Sequence, residues 1–259
     1  SYKNQVEIRK EMGLTNITVS AFELYYGRGT VCSVMDYSQG ADYGSLGPEE
    51  LGKTLRRTKA VAGALEQYHR AGYLHLDIKP ENIWIIPETM DLVQLFDFDS
   101  VIRKEDLKED PGRKICFTQG FAAPELVSGN VEKTGPAADI YGLGALLFFR
   151  LMGTCPQRED REYQAVYDFS RLREENAWCQ PCFFRKLGEF FHRTLASSPS
   201  LRFASVDQAA EALEELMKLS DPDRVYGISN FSYHQNCFVG RKKELGEIRE
   251  RLERKHLLF

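Results

Sequence analysis

Cysteine is sparse. Six thiols in 259 residues, at positions 32, 116, 155, 179, 182 and 237, are too few and too unevenly spaced for a disulfide-stapled secreted scaffold. That usage predicts reduced thiols and a cytoplasmic setting. An excess of one charge sign is also missing: 34 Lys and Arg face 38 Asp and Glu, a formal net charge of −4, which excludes a strongly basic nucleic-acid binder. No apolar run reaches the roughly 18 residues of a membrane-spanning helix. The longest, around Leu143 to Met152, is broken by Gly144 and Arg150. The opening Ser-Tyr-Lys-Asn-Gln-Val-Glu lacks the basic-then-apolar pattern of a signal peptide, and there is neither an internal repeat nor a low-complexity tract. What is present is the composition of a globular protein, 42% hydrophobic and 28% charged, with 16 Phe and 12 Tyr to fill a core.

The pattern along the chain predicts an order of elements. Residues 3–12 read as a helix without a cap ahead of it, as if the chain opened inside a larger domain. The β-branched and aromatic runs 17–26 and 30–37, separated by Gly27-Arg28-Gly29, predict a β-hairpin. From Pro48 to about Ala71 apolar residues recur at helical spacing, with Glu49 and Glu50 expected in the first turn, where the helix dipole favours anions. Two short strands, 83–86 and 93–96, lead into an irregular charged segment from Asp97 to about Glu125. Helices then dominate to Leu219. Residues 220–236, with Pro222, Gly227 and several Ser and Asn, read as a linker, and 241–255 as an amphipathic helix.

The chemistry is concentrated in Tyr73 to Ile86, YLHLDIKPENIWII, and in Leu95-Phe96-Asp97-Phe98-Asp99. Three further motifs follow in order: Ala123-Pro124-Glu125, Asp139-Ile140-Tyr141-Gly142-Leu143-Gly144, and Pro199-Ser200-Leu201-Arg202. Any one of them is weak evidence, because a lone Asp or Lys in a loop is usually a solvated surface group. Together, over about residues 3–218, they resemble the eukaryotic-type Ser/Thr protein kinase catalytic domain, with His75-Leu76-Asp77 in place of H-R-D and Asp97-Phe98-Asp99 in place of D-F-G.

The resemblance implies an α+β, two-lobed kinase-like fold, with a partial N-terminal β lobe and a mainly helical C-terminal lobe. It divides the chain into a kinase domain over 1–219 (a partial small lobe, 1–38, and a helical lobe, 39–219), a linker over 220–236, and a possible second module from 237 to 259. The reaction implied is transfer of the γ-phosphate of ATP, with Mg²⁺, to a protein Ser or Thr hydroxyl. Such a reaction passes through a loose transition state, so the protein mainly positions reactants and neutralises charge. By match to the motifs, Asp77 accepts or orients the hydroxyl proton, Lys79 sets its ammonium beside the transferred phosphate, and Thr118 helps position substrate. Asn82 and Asp97 supply hard oxygen ligands of the kind Mg²⁺ takes. Ser33 to Ser38 resembles the hinge between lobes, with Met35 as gatekeeper and the backbones of Asp36 and Ser38 against adenine. His75, Phe98, Glu125, Asp139 and Arg202 are implied to be structural: core packing for the first two, a Glu125–Arg202 pair, and support of the catalytic loop by Asp139.

Departures from the family pattern bear on activity. The Gly-rich phosphate loop and the Lys of V-A-I-K are missing from these residues, and either Glu7 or Glu11 is the implied partner of that Lys. Leu76 stands where many kinases carry the Arg that reads a phosphorylated activation loop, and between Asp99 and Phe117 the only hydroxyl residue is Ser100. This predicts no phosphorylation switch. Asp99 replaces the Gly of D-F-G and either binds cation or faces solvent. These substitutions keep open a pseudokinase, a nucleotide-binding or scaffolding module. A small-molecule kinase is a third reading, opposed by Ala123-Pro124-Glu125 and Thr118. Trp178-Cys179-Gln180-Pro181-Cys182 resembles a thioredoxin-type redox motif, but no βαβ pattern surrounds it. Finally, Phe238-Val239-Gly240-Arg241 with Glu244-Leu245 resembles the opening of AAA+ and STAND-type ATPase modules. An amphipathic helix explains the same letters.

Overall fold

The computed structural model describes residues 22–27, 30–35, 39–86, 92–97, 99–109, 115–162 and 165–221. The chain separates into two units, Ser1–Asp221 and Pro222–Phe259, and every element below belongs to the first. Strands β1 (Phe22–Gly27) and β2 (Thr30–Met35) pair antiparallel, with Phe22 opposite Met35 and Gly27 opposite Thr30. The predicted helix over 3–12, residues 17–21 and 36–37 of the predicted hairpin, and the helix over 241–255 lie outside the described residues.

Strand β3 (Ala41–Asp42) precedes α1 (Leu51–Arg70), the helix around which the domain is built. Leu51, Leu55, Val61, Leu65 and Tyr68 put its apolar face in the core. Its first turn contains no acidic residue. Glu49 and Glu50 precede it, because the Glu49 carboxylate turns to a buried pair with Arg57 and Arg150. Two guanidiniums outweigh the fraction of a kcal/mol, about 0.3–1, that a helix dipole offers.

Gly72, at φ 84°, turns the chain out of α1 into β4 (Tyr73–Leu74). A single 3₁₀ turn, Pro80–Asn82, leads to β5 (Ile83–Ile86), which pairs with β3 on one side and with β6 (Leu92–Leu95) on the other. Ile83 stands opposite Leu95. The segment expected to be irregular after Asp97 contains two ordered pieces, β7 (Ile102–Arg103), paired with β4, and α2 (Lys104–Glu109). Buried Ile102 and Leu107 explain the order, and the Arg103 guanidinium lies over the Tyr73 ring at 5.5 Å.

The helical part continues with α3 (Pro124–Val127), α4 (Pro136–Met152), α5 (Ser170–Glu175), α6 (Phe183–Leu195) and α7 (Val206–Ser220). Helix α4 is apolar nearly all round and buried. It meets α6 at Gly144, where a Cβ would fall 2.2 Å from Thr194 Oγ1, so only glycine allows this approach. Phe148, Tyr167, Phe169 and Phe191 pack as edge-on and tilted rings beside it.

Across this core, Arg202 grips Glu125 with two parallel hydrogen bonds, Nη1 to Oε1 at 2.6 Å and Nη2 to Oε2 at 2.7 Å, and donates from Nε to the Ala196 carbonyl at 2.9 Å. The side chains are 0% and 2% exposed. Replacing one partner leaves a buried charge without compensation. Arg202→Ala is expected to cost about 3–5 kcal/mol in urea unfolding. A loss below about 1 kcal/mol, the range of a surface pair, would show that this pair does not hold α3 to the rest of the domain.

Candidate active site

Asp139, in the first turn of α4, is buried and accepts hydrogen bonds from two successive backbone N–H groups, His75 at 3.0 Å and Leu76 at 2.7 Å. His69 Nε2, near the end of α1, lies 2.7 Å from its Oδ2. Burial pushes the Asp139 carboxyl up, but the His69 hydrogen bond and the His69 and His75 contributions outweigh it and leave the group below the ordinary carboxylate value. Leu76 is thereby held at φ 63°, in the left-handed region. For a leucine that conformation costs about 1–2 kcal/mol, and the charge-assisted bonds to Asp139 offset it.

The twist at Leu76 delivers Asp77 into a closed polar ring. Thr118 N donates to Asp77 Oδ1 at 2.9 Å. Asn82 Nδ2 donates to Asp77 Oδ2 and to its carbonyl, both at 2.9 Å. Lys79 Nζ sits 3.0 Å from Asp77 Oδ2 and donates to Thr118 Oγ1 at 2.8 Å. The four predicted residues Asp77, Lys79, Asn82 and Thr118 are therefore in direct contact, although 41 positions separate Asp77 from Thr118.

Asp97 comes to the same end of the sheet through the β5–β6 pairing, extended by Phe96 N donating to the Asn82 carbonyl at 2.8 Å. It is exposed, at φ 62°, and its Oδ1 accepts from Asp99 N at 3.2 Å. Asn82 directs its Nδ2 to Asp77, which leaves its Oδ1 to accept. An amide oxygen and a carboxylate are hard donors that suit Mg²⁺. Among the described residues no group of three His, Cys, Asp or Glu could hold a metal.

Of the remaining predicted residues, Met35 ends β2, while Asp36, Ser38 and Phe98 lie outside the described residues. Glu125 and Arg202 form the buried pair already described. Sequence reasoning missed His69, whose only signal was a polar residue near the buried end of an amphipathic helix.

The model of the protein kinase domain matches residues 2–216. The chain belongs to the protein kinase domain family. Among curated relatives, serine/threonine-protein kinase PknK of Mycobacterium tuberculosis is 31% identical over 179 residues, 66% of this chain and 15% of that protein. Striated muscle preferentially expressed protein kinase of Danio rerio is 30% identical over 135 residues, 49% of this chain and 4% of that protein. The chain thus spans 15% or less of the length of these relatives. The crystal structure of the Mycobacterium tuberculosis PknI kinase domain superposes with a TM-score of 0.56 at 22% identity, over 83% of this chain and 80% of that one. The fold is two-lobed and kinase-like.

Within this kinase domain the departures have definite places. Leu76 is buried, Asp99 is exposed, and the Ser100 hydroxyl is buried and donates to the Cys116 carbonyl at 2.8 Å. Cys179 and Cys182 are both free. Burial pushes the Cys179 thiol up to about 11, the opposite of the activated thiol that a redox motif needs.

His75 is fully buried, and burial lowers its pKa from the ordinary 6.5 against the pull of Asp139, Asp77 and Asp97. Unfolded chains take up a proton below 6.5 that the folded domain refuses, so this histidine's contribution to stability is present above 6.5 and falls as pH drops below it. Urea unfolding from about pH 7.5 to about pH 5.5 is expected to show that decline, and His75→Phe to flatten it. An unchanged slope in the variant would assign the decline to another group.

Proposed function

We propose that this kinase domain transfers the γ-phosphoryl group of ATP to a Ser or Thr hydroxyl of a protein substrate. The observation that carries the reading is the ring of Asp77, Lys79, Asn82 and Thr118. Asp77 is anchored on both carboxylate oxygens, so it presents a fixed acceptor that orients a substrate hydroxyl and receives its proton. Lys79 bridges Asp77 and Thr118, a position from which its ammonium neutralises charge building on the transferred group. Thr118, tied to both, links the substrate-facing segment to the reaction centre. Asn82 Oδ1 and the Asp97 carboxylate would hold Mg²⁺, which when bound would supply charge screening of the phosphate oxygens. Met35, Asp36 and Ser38 are read as the adenine edge of the ATP site. Sparse cysteine usage, with Cys116, Cys155, Cys179 and Cys182 free, supports a cytoplasmic setting. Among the described residues no helix is long and apolar enough to cross a membrane.

The domain limits follow the same reading, with the kinase over 1–219, a linker over 220–236 and a second module opening at 237. The resemblance of Phe238-Val239-Gly240-Arg241 to an ATPase opening supports that module. A downstream phosphate-binding loop in the full-length sequence is its test.

Leu76 and Asp99 favour a specific rival, a pseudokinase that binds nucleotide without turnover. Transfer of label from γ-labelled ATP by the full-length protein separates the two. Asp77→Asn is expected to lower transfer by about 10²–10⁴-fold, the usual contribution of a general base, while leaving ATP binding intact. A folded protein that binds ATP and transfers nothing would overturn the enzyme reading. In active protein, phosphosite mapping over residues 99–117 is expected to find no activating site, and Ser100→Ala to retain activity, because that hydroxyl is already enclosed. An activating phosphate at Ser100 would overturn the expectation.

A further inference from the structure

We propose that the kinase domain carries a second binding site, a cavity beside β5 that takes a small amphipathic carboxylate, its anion on Lys53 and its aliphatic body on Ile85, Ile86 and Leu46. The cavity has a volume of about 460 Å³, within the range of small-molecule sites. Among the described residues its lining includes none of those placed in the phosphoryl-transfer site.

One wall is fixed by glycine. Gly40, at φ 145°, brings its backbone so close to β5 that a Cβ would fall 2.2 Å from the Ile85 carbonyl. The facing wall is fixed by charge. Glu49 takes both Arg57 and Arg150, while Arg150 also donates to the Gly47 carbonyl at 2.7 Å and to the Leu46 carbonyl at 3.0 Å, and lies over the Tyr43 ring at 4.3 Å. A cavity between two held walls needs little reorganisation to receive a ligand.

Lys53 is the exception among the charges lining this space. It is half-buried and, among the described residues, its ammonium has neither an ion pair nor a hydrogen bond, the backbone N alone donating to the Glu50 carbonyl at 3.0 Å. It also stands in the first turn of α1, where the helix dipole adds to its positive potential, and the one acidic group of the described lining, Glu49, is engaged by Arg57 and Arg150. An unpaired ammonium at the edge of an apolar floor is complementary to one carboxylate on an aliphatic body. A phosphate suits the site poorly, because the guanidinium forks that grip phosphate are already committed to Glu49.

The test is an amide-resolved NMR titration of the whole chain with hexanoate and with its neutral counterpart hexanamide. Saturable shifts at Lys53, Ile85 and Ile86 are expected, with hexanoate bound about fivefold more tightly, as for a half-exposed ion pair. Lys53→Gln, a change at a half-exposed position, should erase that preference and leave hexanamide binding unaltered, and Lys53→Arg should keep it. Equal binding of the two probes, a preference that survives Lys53→Gln, or the lack of saturable shifts at these residues would each overturn the proposal.

Discussion

One buried carboxylate sets the shape of the catalytic loop. Asp139 belongs to a helix that is otherwise apolar almost all round, and it faces two backbone N–H groups that no regular element satisfies. Those bonds hold Leu76 in a conformation that leucine disfavours, and the twist there is what turns Asp77 toward Thr118, Asn82 and Lys79. His69 adds a third contact from α1, so the loop is held between two helices that also form the centre of the core. Strain at a functional site persists only where its surroundings over-determine it, and here they come from both sides.

Residues 99–109 are ordered without the arginine that many kinases use to read a phosphate. Leu76 is buried instead. In its place the segment is anchored by β7 against β4, by Arg103 over Tyr73, by Lys104 Nζ donating to the His69 carbonyl at 3.3 Å, and by Leu107 in the core. Ser100 closes onto Cys116 farther along. These contacts reach the same end of α1 that supports Asp139, which joins the order of the segment to the shape of the catalytic loop. An apolar residue at 76 and a segment tied by packing are two sides of one arrangement.

Much of the helical lobe was legible because its periods are strong. The spacing of Leu51, Leu55, Val61, Leu65 and Tyr68 marked α1, and β-branched residues marked β5. Glu49 shows where local reasoning fails. The helix dipole placed it in a first turn, but a buried position between Arg57 and Arg150 was stronger, and Arg150 is 101 residues away. The same holds for β7 and α2, whose charged letters suggested an irregular loop until Ile102 and Leu107 found the core.

Residue types and their order determined which groups were available for chemistry: Asp77, Lys79, Asn82 and Asp97 lie within 21 residues, and their spacing carries the family resemblance. Tertiary structure alone decided how they meet. The Thr118 contacts, the support from His69 and Asp139, and the unpaired Lys53 beside a fixed cavity all depend on contacts between distant segments. Local sequence encodes torsional preference and hydrophobic period. Which buried polar group finds which partner is decided by packing the whole chain, because leaving such a group unpaired costs about as much as the local preferences it overrides.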